Sequence, residues 1–111
     1  MSLRELAEKK CMALSGAGHK LDESRCKALL TDLTGWELSG GQISKNFSFR
    51  NYDETMAFVN GVAWLSQREN HHPDLAVGYN RCRVAYSTHD VGGLSMNDFI
   101  CAAKIETLRL I

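Results

Sequence analysis

The sequence predicts an α+β domain, an antiparallel sheet with helices packed on one face. Three observations carry the prediction. Apolar residues recur at helical spacing in three separated stretches, two other stretches alternate with period two, and the order helix, hairpin, helix, strands, helix lacks the alternation of βαβ units. A length of 111 residues suits one such domain and leaves no room for a second.

The first helix of the domain is expected from Asp22 to Leu33. Cys26, Leu29, Leu30 and Leu33 form its apolar row, Asp22 can cap its start and Gly35 ends it. Ser39-Gly40-Gly41 is a turn signal after Trp36-Glu37-Leu38. Beyond it Ile43, Lys45, Phe47 and Phe49 alternate with Ser44, Asn46 and Ser48, so a hairpin is expected. Lys45 falls on the apolar side, where a lysine can snorkel toward an edge.

Asp53 opens a second helix. Phe58, Val62 and Leu65 make one row, with Met56, Val59 and Ala63 beside it, and the helix should end near Glu69. Pro73 disfavours helical geometry at His72, so the chain must turn extended there. Leu75, Val77 and Tyr79 alternate briefly. In the run Arg81 to Thr88, Cys82, Val84, Tyr86 and Thr88 face one way. His89 to Gly93 reads as a loop.

Ser95-x-x-Asp98 reads as a capping box with Asp in place of the usual Glu, and a last helix follows. That helix has Phe99, Ala102 and Ala103 on one stripe and Cys101, Ile105 and Leu108 on another. The arc is wider than one-sided packing needs, which predicts a partner chain over the second stripe and therefore a homo-oligomer.

Residues 1–20 are set apart from the domain at 21–111. Leu3, Leu6 and Ala7 hint at a turn of helix, and Ser15-Gly16-Ala17-Gly18 breaks it, so a mobile or loosely docked arm is expected.

Charge excludes one class of function. Thirteen Lys and Arg balance thirteen Asp and Glu, so there is no basic footprint for direct nucleic-acid binding. No apolar run approaches the ~18 residues of a membrane span. Cys11, Cys26, Cys82 and Cys101 form no Cys-x-x-Cys, and no signal-peptide pattern precedes them. Reduced thiols in a cytoplasmic protein are expected.

Three of the four histidines, His71, His72 and His89, fall at a helix exit and at a strand-to-loop transition. Histidine titrates near pH ~6.5, so two such groups around one substrate can run an elimination: one protonates a leaving hydroxyl and the other handles the second proton. A histidine at a helix end also serves as a surface residue or a C-terminal cap, and the residues alone leave both readings open. A metal site is not expected, because adjacent histidines diverge and neither His-x-x-x-His nor Cys-x-x-Cys occurs.

Glu69-Asn70-His71-His72-Pro73, Tyr79-Asn80, Ser87-Thr88-His89, Gly93-Leu94-Ser95 and Asp98 together resemble the pterin-4a-carbinolamine dehydratase family, without gaps from His71 to Asp98. Gly35-Trp36 after a Leu-Leu helix, the Lys-Asn-Phe-x-Phe strand and the Phe-x-x-x-Val-Ala helix extend the resemblance over about residues 21–109. The resemblance implies dehydration of 4a-hydroxytetrahydrobiopterin to the quinonoid dihydropterin, in tetrahydrobiopterin recycling, without metal or organic cofactor. By position it makes His71 and His89 the acid–base pair. His72, with Pro73, Thr88, Asp90 and Val91, would hold the substrate, and Gln67 and Asp98 would support the site. Asp98 reads first as a helix cap. Relatives form dimers or tetramers, and some act as dimerisation cofactors of a transcription factor, which keeps a binding module as the alternative. The family usually has an acidic residue where this chain has Gln67, and often Asp or Gly at Asn70 and Trp at Leu75.

Overall fold

The computed structural model describes residues 1–109, and the last two residues of the domain expected at 21–111 lie outside that range. The described chain runs α1 (Leu3–Glu8), a 3-10 turn (Ala17–His19), α2 (Glu23–Leu30), β1 (Glu37–Ser39), β2 (Gln42–Ser48), α3 (Tyr52–Glu69), β3 (Asp74–Val77), β4 (Arg81–Tyr86), a second 3-10 turn (His89–Val91) and α4 (Met96–Arg109). The strands form one antiparallel sheet in the order β1-β2-β4-β3. The fold is α+β, as the element order predicts.

The predicted elements form for the predicted reasons, with shifted ends. Asp22 caps α2 by accepting from the Arg25 amide at 2.8 Å. The helix stops at Leu30, three residues early, and non-helical turns carry the chain to Trp36 through Gly35 at φ +88°. Gly40 and Gly41 both sit at positive φ, 60° and 76°, as a two-residue hairpin turn requires. The helix expected to open at Asp53 opens at Tyr52, and Asn51 caps it through the Glu54 amide at 2.9 Å. Ala63, expected beside the buried row of α3, is exposed.

One sheet face carries Ile43, Lys45 and Phe47 of β2 and Cys82, Val84 and Tyr86 of β4, all on positions of one parity. All but Lys45 are essentially sealed from solvent, with Leu29, Val62, Leu65, Phe99 and Ile105 from the helices and Leu33 from the turn after α2 in the same core. The other face is polar, with Ser44, Asn46, Ser48, Arg81 and Arg83. Lys45 does not snorkel to an edge, because β2 is an interior strand. Its Nζ reaches Glu106 Oε2 of α4 at 2.9 Å and the Thr34 carbonyl at 2.9 Å, and the same carboxylate accepts from Trp36 Nε1 at 3.1 Å.

The N-terminal segment is not loose. Ser2 and Glu5 form a complete capping box on α1, and Leu6 is fully buried against the core. Lys104 of α4 donates to the Ala7 carbonyl at 2.7 Å, and Asn97 exchanges two hydrogen bonds with the Met12 backbone, at 3.0 and 2.7 Å. This docking covers part of the stripe expected to meet a partner chain. Cys101 meets Cys11, Ile105 is fully buried within the monomer, and Leu108 lies against Gly61 of α3. Cys101 and Ile105 of the second apolar stripe are thus covered by the chain's own fold, while Leu108 stays half-buried at a cleft with Phe49, Phe58 and Gly61.

Candidate active site

The site begins where α3 ends. Asn70 takes the left-handed conformation (φ 52°, ψ 42°), which asparagine tolerates better than most residues. The His71 amide then bonds back to the Ser66 carbonyl at 3.1 Å. This reversal turns the His71 ring inward, where it stacks on Tyr86 at 5.6 Å and 15°. His71 Nε2 lies 2.7 Å from Asp98 Oδ1.

Asp98 is fully buried and accepts three hydrogen bonds. One oxygen meets His71, and the other takes the Thr88 hydroxyl at 2.8 Å and the Ser95 amide at 2.9 Å. Only half of the expected capping box forms. The Ser95 hydroxyl pairs with Thr88 Oγ1 at 2.6 Å instead of capping the Asp98 amide, which bonds the Ser95 carbonyl. Capping therefore does not account fully for Asp98, because its second oxygen holds the histidine. With that oxygen as acceptor, Nε2 carries the proton and Nδ1 is left to accept one.

His71, Thr88 and Asp90 line a polar cleft of about 250 Å³ with Asn70, Asn97 and the segment Met12–Ser15. Gly16 extends that wall by donating to the Asp90 carbonyl at 2.9 Å. His72 and His89 are exposed and are not among the lining residues. Pro73 is half-buried beside His72, and Val91 is buried in the 3-10 turn. Gln67 is exposed, and no hydrogen bond joins it to His71. Glu69 is turned away, accepting from the Cys11 amide at 3.0 Å. The carboxylate that orients His71 thus comes from α4, not α3.

Sequence reasoning missed Asn97, Tyr86 and the wall made by residues 12–15. The tendency of asparagine toward left-handed backbone was the one local signal available, and it pointed to Asn70. Larger clefts lie elsewhere, about 410 Å³ beside Gly92–Leu94 and about 720 Å³ beneath the N-terminal segment, and neither is lined by His71, His72 or His89. Among the described residues, no three His, Cys, Asp or Glu side chains gather as a metal-holding group. No helix there is long and apolar enough to cross a membrane.

A four-stranded antiparallel sheet backed by helices, with a carboxylate-held histidine at the rim of a polar cleft, defines a small α+β domain equipped for proton transfer. The model of the pterin 4 alpha carbinolamine dehydratase family matches residues 19–108. The chain belongs to that family. It is 55% identical over 107 residues to a Nitrosospira multiformis protein named "Putative pterin-4-alpha-carbinolamine dehydratase", covering 96% of this chain and 95% of the relative. A Stenotrophomonas maltophilia protein of the same name is 57% identical over 105 residues, covering 93% and 90%.

Among solved structures, a transcriptional coactivator/pterin dehydratase from Brucella melitensis superposes with a TM-score of 0.77 at 28% identity, over 80% of this chain and 97% of that one. A pterin dehydratase-like protein identified as a RuBisCO assembly factor in the alpha-carboxysome aligns with a TM-score of 0.58 at 25% identity, over 67% and 88%.

Proposed function

We propose that this protein is a hydro-lyase that removes water from a 4a-hydroxytetrahydropterin, giving the quinonoid dihydropterin in tetrahydrobiopterin recycling. The observation that carries the reading is the His71–Asp98 hydrogen bond beside Thr88 in the cleft, at 2.7 Å. In the reaction the N5 lone pair expels the C4a hydroxyl, the departing oxygen takes a proton, and N5 loses one. His71 and His89 divide these two transfers. Asp98 fixes the His71 ring and its tautomer, as a carboxylate does for a catalytic imidazole. His72 and Pro73 at the helix exit, with Asp90, Thr88 and Val91, hold the pterin. No step runs through a metal or an organic cofactor.

A binding module is the rival, since one of the two similar solved structures is a transcriptional coactivator/pterin dehydratase and the other an assembly factor. Such a module has no need of a buried carboxylate trained on a histidine at a cleft, so that pair favours the enzyme. The test is stopped-flow dehydration of chemically generated 4a-hydroxytetrahydropterin. We expect a rate well above buffer that saturates with substrate. A rate equal to buffer at high enzyme concentration would overturn the reading.

A further inference from the structure

The N-terminal segment brings a second reactive feature close to the cleft. Cys11 follows α1, and its Sγ lies 3.4 Å from Sγ of Cys101 in α4, with ninety positions of chain between them. The backbone holds the sulfurs together. The Cys11 amide donates to Glu69 Oε1 at 3.0 Å, Cys11 Sγ contacts the Asn97 carbonyl at 3.7 Å, and Asn97 pins Met12 from both sides. A disulfide has its sulfurs ~2.05 Å apart.

We propose that Cys11 and Cys101 form an oxidative modification site, a thiol pair that a small hydroperoxide closes to a disulfide, tying the wall of the His71 cleft to α4. Access assigns the roles. Cys101 is fully buried, whereas Cys11 is half-buried and lines a separate cleft of about 370 Å³ with Lys10, Arg68, Glu69 and Lys104. The hydrogen bond to Cys11 and burial push the Cys101 thiol up. Cys11 is the sulfur that meets the oxidant.

The chemistry balances in two steps. Cys11 sulfur attacks the hydroperoxide, the O–O bond breaks, and the products are Cys11 sulfenic acid and an alcohol, or water from hydrogen peroxide. The Cys101 sulfur then attacks the sulfenic sulfur. The S–S bond forms, the S–O bond breaks, and the Cys101 proton leaves with the hydroxide as water.

The link bears on the site by two routes. The chain from Cys11 continues directly into Met12–Ser15, which line the cleft with His71, Thr88 and Asp90. Across the core, the Tyr86 ring stacks on His71, while its buried hydroxyl lies beside Ser66 and Cys101. Oxidation fixes the wall and alters the packing behind the histidine.

The test treats the intact protein with a small excess of hydrogen peroxide, alkylates the remaining thiols and digests without reductant. Mass spectrometry should find a peptide joining Cys11 to Cys101, with Cys26 and Cys82 alkylated. Amide exchange across Met12–Ser15 should slow about tenfold on oxidation, as expected when a local opening is restrained, and return with dithiothreitol. Cys11→Ser, a change at a half-buried position, should abolish both signals. Cys101→Ser should leave Cys11 as a sulfenic acid that dimedone traps. Sulfinic acid at Cys11 without the link, pairing with Cys26 or Cys82, or a link that leaves exchange unchanged would each overturn the proposal. None of these readouts depends on pterin turnover.

Discussion

Asp98 Oδ1 accepts from His71 Nε2 at 2.7 Å while Asp98 Oδ2 accepts from both Thr88 and Ser95, so one fully buried carboxylate both starts α4 and orients the histidine of the cleft. Asparagine has one acceptor oxygen where Asp98 uses two. Asp98→Asn is therefore expected to keep the fold at a loss of about 1–2 kcal/mol. Turnover should fall about 10²-fold, with the Michaelis constant little changed. Stopped-flow kinetics with a thermal melt on the same sample checks both. Unchanged turnover would reduce Asp98 to a cap.

The histidines should separate by kinetics. His71→Ala and His89→Ala are each expected to lower turnover, within the ~10²–10⁴-fold that proton-transfer groups contribute. The double change should lose most of what remains. His72→Ala should chiefly raise the Michaelis constant, as for a group that binds ground and transition states alike. A double variant with near-native turnover would remove both residues from the chemistry.

Glu69 gives stability a pH dependence. Burial pushes its carboxyl up, but the Cys11 amide, Lys104 and Arg68 outweigh burial and hold it below the usual value. A depressed carboxyl contributes stability that is present above its unfolded value, ~4.3, and is lost as pH falls through the folded one. Acid should therefore weaken the docking of the N-terminal segment, and Glu69→Gln should flatten that acid limb. Urea midpoints between pH 3 and 7, the range spanning ~4.3, would show it. Parallel limbs in the variant and the parent would refute it.

The Lys45–Glu106 pair sits in a nearly closed environment, with the side chains 15% and 19% exposed. Removing one partner strands the other charge, which costs about 3–5 kcal/mol in a fully buried pair. Here the residual exposure should hold the loss from Lys45→Met to about 2 kcal/mol. Lys45→Met with Glu106→Gln together should cost less than Lys45→Met alone. Urea unfolding of the two variants tests the order, and a double variant weaker than the single would contradict it.

Gly61 lies inside α3, and a Cβ added there would sit 3.6 Å from Leu108 Cδ1, an ordinary contact. Gly61→Ala should stabilise the fold by roughly 0.5–1 kcal/mol, because alanine loses less backbone entropy in a helix. A lower melting temperature would mean that the Leu108 contact is tighter than it looks.

The sequence by itself determined the element types, most of their limits and the apolar faces. Burial of one stripe repeats every 3.6 residues in a helix and every two in a strand, so Cys82, Val84 and Tyr86 or Phe58, Val62 and Leu65 announce their faces without any partner being known. Caps and turns were equally local: Asp22 caps α2 three residues from its partner, and Gly40-Gly41 turns the hairpin. His71 and Asp98 were each legible as residues of interest, because the family motif contains both. Their hydrogen bond was not, since the two are 27 positions apart and meet only when α4 lies across the end of α3.

The same reason explains what the pattern left open at Lys45 and along α4. A period-two pattern says which face a residue is on but not which strands flank it. A wide apolar arc says that cover is needed but not whether another chain or the chain's own first helix supplies it. Only tertiary structure decided that Leu6 and Cys11 supply part of it, and that the segment following them forms one wall of the His71 cleft. Docking of that kind depends on shape and on hydrogen bonds between distant backbone and side-chain groups, and these leave no periodic trace in the chain.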